Sequence, residues 1–135
     1  MALIPPLFET RLWRAELADT PKGAELIEAL DDACRAVADD DEAGQAWSEA
    51  HGYRGYTSYA SLNDLTWRDP SFEALKKRLD KEAAAYAEAL ELDLKGRKLK
   101  LDSLWINVLE PGGTHSGHIH PHSVISGTCY VAVPA

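Results

Sequence analysis

Two stretches of the chain have apolar residues spaced for one face of a helix. The first follows Asp19-Thr20-Pro21, which supplies an N-cap with proline at the first helical position. Its apolar residues, three or four positions apart, are Ile27, Leu30, Cys34 and Val37. The second follows Asp69-Pro70, and its apolar face consists of Phe72, Leu75, Leu79, Tyr86 and Leu90. We therefore expect a helical layer over about residues 19–92.

The remaining patterns are irregular or β-type. Residues 47–67 are rich in Gly, Tyr and Ser, which predicts loops with a short strand. From Lys98 onward β-type residues dominate, and residues 126–133 have the pattern of a dense apolar strand. Helices followed by strands predict an α+β fold in a single domain over residues 1–135, with a β-rich part at about 97–135.

The charge balance narrows the classes of partner. The chain has 22 acidic and 14 basic residues, a formal net charge of −8. This charge argues against general affinity for nucleic-acid phosphates or anionic membrane surfaces. No stretch approaches the roughly 20 apolar residues that span a bilayer, so a cytoplasmic location is the default expectation. Cys34 and Cys129 belong to no metal or redox motif, and we expect buried, reduced thiols.

Four of the five histidines fall within eight residues, directly after the turn Pro111-Gly112-Gly113: His115, His118, His120 and His122. Side chains alternate along a strand, so residues two apart share a face. His118 and His120 can therefore both point toward one ion, about 2.0 to 2.2 Å from each nitrogen. Neutral imidazole binds iron, zinc, copper or nickel well and magnesium or calcium poorly, which indicates a transition metal.

Histidines at this spacing also occur as ordinary hydrogen-bonding residues. Three features favour a metal instead: the Pro-Gly-Gly turn, the apolar strand that follows, and Asn107, read as a buried amide that needs a partner. We therefore predict that His118 and His120 are metal ligands. His115 and His122 are predicted to support these ligands or to lie at the surface, with direct ligation as the alternative.

The stretch WINVLEPGGTHSGHIHPHSVISGTCYVAVP resembles the signature of a family of 2-oxoglutarate- and iron(II)-dependent oxygenases from bacteria and phages. The shared motif is His-x-His-Pro followed by Ser-Gly-x-x-Tyr-Val. The earlier stretch GYTSYASL resembles that family's Gly-aromatic-x-Ser segment. The resemblance implies N-terminal helices packed on a double-stranded β-helix, or jelly-roll, core. It also implies Fe(II) as cofactor, 2-oxoglutarate as co-substrate, and hydroxylation of a small molecule or peptide.

A more distant resemblance suggests individual roles. Nucleic-acid demethylases of the same superfamily have Asn-x-Tyr-x-Pro-Gly, followed six residues after the glycine by His-x-Asp. The residues at those spacings here are Asn107, Pro111, Gly112 and His118. The resemblance implies that Asn107 reaches the 2-oxoglutarate and that His118 is the first iron ligand. His120 would take the carboxylate position, and Tyr130 would line the same pocket.

The sequence departs from the superfamily pattern in three respects. His120 brings no negative charge, and Leu109 stands where a tyrosine would touch the co-substrate. The distal histidine and the arginine that pairs with 2-oxoglutarate are expected several strands further on, whereas 15 residues follow His120. We therefore expect the jelly roll to be incomplete at the C-terminus and the chain to be the first part of a longer oxygenase, active as an enzyme if the missing ligands exist there.

Two other functions fit parts of the sequence. Gly112 followed by five residues and His118-x-His120 also matches the start of a cupin motif, which would make the chain a cupin-like metalloprotein. Cupins, however, place a glutamate where Val124 and Ile125 stand here. The second is a non-catalytic binding domain with a decayed or incomplete metal site.

Overall fold

The fold is a layer of helices with one small sheet. A computed structural model describes residue 4 and residues 8–133. After a short 3-10 helix, Leu17–Asp19, the elements are α1 (Pro21–Asp40), α2 (Glu42–Ala50), β1 (Gly55–Thr57), α3 (Leu65–Arg68), α4 (Pro70–Ala89) and β2 (Asn107–Leu109). Helix and sheet together confirm the α+β class.

Both predicted long helices form and begin where their caps predict. The Thr20 hydroxyl accepts a hydrogen bond from the Gly23 N–H at 3.1 Å, and Pro21 opens α1. The Asp69 carboxylate accepts one from the Ser71 N–H at 2.8 Å, directly before α4. None of the helices in the described part of the chain combines the length and hydrophobicity needed to cross a bilayer.

The core lies where α1, α3, α4 and the sheet meet. Its buried members are Leu30, Ala33, Tyr56, Leu65, Phe72, Leu75 and Ile106. Cys34 and Cys129 pack against this cluster as half-buried thiols, and burial raises the pKa of both. Both are therefore protonated at neutral pH.

The sheet joins two segments that are about fifty residues apart in sequence. Strands β1 and β2 pair antiparallel, with Gly55 opposite Leu109, Tyr56 opposite Val108 and Thr57 opposite Asn107. Gly55 has a φ of +125°, and a Cβ there would lie 2.1 Å from the Val108 carbonyl oxygen. Only glycine allows so close an approach of the two strands. The short strand predicted in the Gly-, Tyr- and Ser-rich stretch is thereby confirmed.

Most of the other predicted strand residues are irregular. Of residues 98–111 only Asn107–Leu109 form a strand, and residues 126–133 form none. The prediction of a strand at 126–133 was therefore wrong for the described structure. A strand needs a neighbour to accept and donate its backbone hydrogen bonds, and β2 pairs with β1 alone among the described residues.

Asp41 joins α1, α2 and β1. Its carboxylate accepts hydrogen bonds from the Gly44 N–H at 3.1 Å, the Tyr56 hydroxyl at 2.8 Å and the Ser61 hydroxyl at 2.5 Å. Burial acts to raise the pKa of Asp41, but these three bonds outweigh it and hold the pKa below its ordinary value. Asp41 therefore caps α2 and ties it to β1 and to the loop that follows.

Candidate metal site

The segment that carries the histidines starts at a turn held by Arg54. The Arg54 guanidinium donates hydrogen bonds to the carbonyls of Pro111 at 3.0 Å and Gly112 at 3.4 Å. Gly112 has a φ of +76°, a conformation that glycine adopts without steric cost. Since Arg54 directly precedes β1, these bonds fix the start of the histidine segment relative to the sheet.

His118 and His120 lie side by side. Their Nε2 atoms are 3.0 Å apart, and their ring planes are inclined at 73°. The Nδ1 of His118 lies 2.8 Å from the Ser116 carbonyl oxygen. A carbonyl can only accept, so this Nδ1 carries the hydrogen, and in the neutral ring the Nε2 lone pair faces His120. This is the tautomer in which the Nε2 of a neutral imidazole can bind a metal.

The separation of the pair can be compared with that of two ligands on one ion. Two nitrogens each about 2.1 Å from an ion, at a right angle, lie about 3.0 Å apart. The observed 3.0 Å fits two adjacent octahedral positions, although a hydrogen bond from one ring to the other has the same length. Among the described residues, no group of three or more His, Cys, Asp or Glu has the arrangement of a metal site. The pair alone therefore matches two ligand positions of an octahedral transition metal.

His115 lies next to the pair. Its ring centroid is 4.7 Å from that of His118, and its Nδ1 is 3.2 Å from the Tyr53 hydroxyl. Burial raises the pKa of Tyr53, so the phenol keeps its proton and can donate a hydrogen bond to His115. The supporting role of His115 toward a metal ligand stays a prediction. His122 is exposed, with a φ of +67°.

The two residues predicted to contact the co-substrate are both exposed. Asn107 begins β2 and pairs with Thr57, but its side chain is exposed to solvent. The prediction that Asn107 is a buried amide was therefore wrong. The reason is that β2 has a single strand beside it in the described structure, and of its three residues only Val108 packs against the core. Tyr130, 75% exposed, lies in the irregular segment after the histidines. Their roles toward 2-oxoglutarate stay predictions.

A row of aromatic side chains, which sequence reasoning did not identify, adjoins the pair. We call Trp47, Tyr59 and Trp105 the aromatic row. The Trp105 ring lies 5.5 Å from His120, Tyr59 lies 5.4 Å from Trp105, and Trp47 lies 6.4 Å from Tyr59, all between ring centroids. The only signal in the sequence was the abundance of aromatic residues between 47 and 67.

Ser58 links the segment that carries Tyr59 to the segment that carries Trp105. Its fully buried hydroxyl accepts a hydrogen bond from the Ile106 N–H at 2.9 Å, and its own N–H donates to the Ile106 carbonyl at 3.0 Å. These bonds extend the contact between β1 and β2 by one residue. They place Trp105 beside Tyr59, which explains the serine in the Gly-aromatic-x-Ser segment.

A family model described as "Putative 2OG-Fe(II) oxygenase" matches residues 103–135. A search of curated proteins finds no match to the chain. The matched segment contains the Pro-Gly-Gly turn and all four clustered histidines, and it supports the resemblance found in the sequence. It covers 33 of the 135 residues, so the similarity is that of a segment.

Proposed function

We propose that the chain contributes to the iron-binding core of a 2-oxoglutarate-dependent oxygenase that hydroxylates a small molecule or a peptide. The observation that carries this proposal is the 3.0 Å separation of the His118 and His120 Nε2 atoms, within the segment that matches the oxygenase family model. Two imidazoles at this distance suit a transition metal better than a hard cation.

Each residue of the site has a proposed task. His118 and His120 hold Fe(II), and the Ser116 carbonyl keeps His118 in the tautomer that binds. Asn107 binds 2-oxoglutarate and Tyr130 lines its pocket. His115 and Tyr53 support the pair from one side. When bound, Fe(II) and 2-oxoglutarate supply the activation of dioxygen, and the protein orients the reactants and excludes water.

The absence of a carboxylate from the pair has an electrostatic consequence. Two neutral imidazoles leave the double positive charge of Fe(II) uncompensated. The 2-oxoglutarate dianion would compensate it, so iron and co-substrate should each strengthen the binding of the other. Coupled binding is therefore part of the proposal.

The proposal extends to the fold and the location. We propose that the helical layer of about residues 19–92 and the β-rich part of about 97–135 form one domain with a double-stranded β-helix core. In support, several β-type apolar residues after β2 are exposed and without a strand partner in the described structure: Ile119, Val124 and Val133. Such residues are suited to further strand pairing. A cytoplasmic location accords with the free thiols of Cys34 and Cys129.

Anaerobic titration tests the proposed function. Fe(II) and 2-oxoglutarate together should give a weak visible charge-transfer band that neither gives alone, and 2-oxoglutarate should tighten Fe(II) binding. The His118→Ala variant should lose the band. His51→Ala is the matched control, because His51 stacks on Trp47 and binds the carbonyl of the same residue, away from the pair. A band that survives in His118→Ala argues against the oxygenase.

A further inference from the structure

His120 is held differently from its neighbour His118. The Nδ1 of His118 lies 2.8 Å from the Ser116 carbonyl oxygen, so a hydrogen bond within its own segment fixes that ring. Among the described residues, the His120 ring has a hydrogen-bond contact only through Nε2, the atom that faces His118. A histidine that binds a metal through Nε2 is usually oriented by a hydrogen bond at Nδ1. Another contact must therefore orient the His120 ring if it binds a metal.

Trp105 provides such a contact. The ring centroids of Trp105 and His120 are 5.5 Å apart, and the ring planes are inclined at 31°. Of the four clustered histidines, His120 is partly buried and the other three are exposed. Aromatic rings at this separation pack against each other, and the packing restricts rotation of the imidazole about its side-chain bonds. The His120 ring is therefore oriented by packing rather than by a hydrogen bond at Nδ1.

Trp105 is itself fixed to the sheet. The next residue, Ile106, is buried in the core and forms two hydrogen bonds with Ser58. Side chains alternate along an extended segment, so Trp105 lies on the face opposite the core. The register of β1 and β2, continued by two residues, sets Tyr59 opposite Trp105, and their ring centroids are 5.4 Å apart. The sheet thus determines where the Trp105 ring lies, and through it the position of His120.

We infer that Trp105 is a positioning residue for His120, the second of the two proposed iron ligands. The Ser116 carbonyl orients His118 from within its own segment, and Trp105 orients His120 from the sheet. The 3.0 Å separation of the two Nε2 atoms then depends on both supports. This inference rests on the proposed function, since it concerns the same metal site.

Metal affinity tests the inference through its dependence on His120. Trp105→Leu should weaken Fe(II) binding by about tenfold in anaerobic dialysis, as expected for loss of a group that orients a ligand. Trp105→Phe keeps an aromatic ring and should restore most of the affinity. Trp67→Leu is the control, because it removes an indole that is 90% exposed on α3. An equal loss in Trp67→Leu would contradict the inference.

A double-mutant cycle separates positioning from general damage to the fold. Added to His118→Ala, the Trp105→Leu substitution should weaken Fe(II) binding again by about tenfold, because His120 is still present. Added to His120→Ala, it should change the affinity little, because the ring that it orients is gone. A similar loss in both backgrounds would show that Trp105 acts only through the stability of the fold.

NMR of the metal-free chain tests the positioning without iron, so its outcome is distinct from failure of the titration described above. The ring current of Trp105 should displace the His120 ring protons, and Trp105→Leu should abolish that displacement while the His118 ring protons change far less. Tyr59→Leu alters a side chain that is 63% exposed, and it should shift the His120 protons in the same direction by a smaller amount. Unchanged His120 shifts in Trp105→Leu, or in Tyr59→Leu if Trp105→Leu does not fold, would overturn the inference.

Discussion

Alanine at both His118 and His120 is expected to weaken Fe(II) binding by about 100-fold or more. The Nε2 atoms lie 3.0 Å apart, and the Ser116 carbonyl directs the His118 lone pair toward His120. Groups that merely orient a ligand contribute about 10- to 100-fold to metal affinity, so removing both ligands should cost at least as much. Anaerobic equilibrium dialysis followed by metal analysis measures the affinity directly.

The single variants and a control separate ligation from general damage. His118→Ala and His120→Ala should each bind Fe(II) more weakly than the unaltered chain. The double variant should bind it at least as weakly as either single variant. His51→Ala deletes an imidazole elsewhere and should bind as the unaltered chain does. If the double variant keeps its affinity, the pair is a hydrogen-bonded couple of rings rather than a metal site.

Asp41→Ala is expected to lower the free energy of unfolding by about 2 to 4 kcal/mol. The substitution removes the cap of α2 and leaves the hydroxyls of Tyr56 and Ser61 without their acceptor. An N-cap contributes about 1 kcal/mol, and hydrogen bonds to a charged group contribute more than neutral ones. Urea denaturation followed by circular dichroism measures the change.

Asp40→Ala is the matched control. Asp40 is exposed at the end of α1, and its replacement should change stability by about 0.5 kcal/mol or less. The pKa of Asp41 is lower in the folded chain than in the unfolded chain. Asp41 therefore contributes fully to stability at any pH above its own pKa in the unfolded chain. The contribution is lost as the pH falls through the folded value. The stability of Asp41→Ala should therefore decline less in acid than that of the unaltered chain. If Asp41→Ala and Asp40→Ala lose the same free energy of unfolding, the Asp41 contacts stabilise little.

The helices could be predicted because their signals are local. Thr20 and Asp69 with their prolines mark the starts, and the apolar spacing marks the buried faces. The number and extent of the strands could not, because a β-type sequence becomes a strand only when a partner pairs with it. Asn107–Leu109 has β1 beside it, whereas residues 126–133 have the composition of a strand without a partner in the described structure.

The candidate site, like the fold, has features that the sequence predicts and features that it does not. The closeness of His118 and His120 agrees with their spacing of two residues, although the segment that carries them forms no strand in the described structure. The contact of Trp105 with Tyr59 depends on the bonds of Ser58 to Ile106, which join residues 48 positions apart. No periodicity in the sequence indicates such a contact. The exposure of Asn107 likewise depends on what packs over β2.

X-ray absorption of the Fe(II)-loaded chain tests the central claim most directly. Histidine ligands give a characteristic outer-shell scattering pattern from the imidazole ring. We predict two imidazole nitrogens at about 2.1 Å from the iron, reduced to one in either single variant and to none in the double variant. A spectrum of the unaltered chain that contains oxygen ligands without imidazole scattering would contradict the assignment of His118 and His120 as the iron-binding pair.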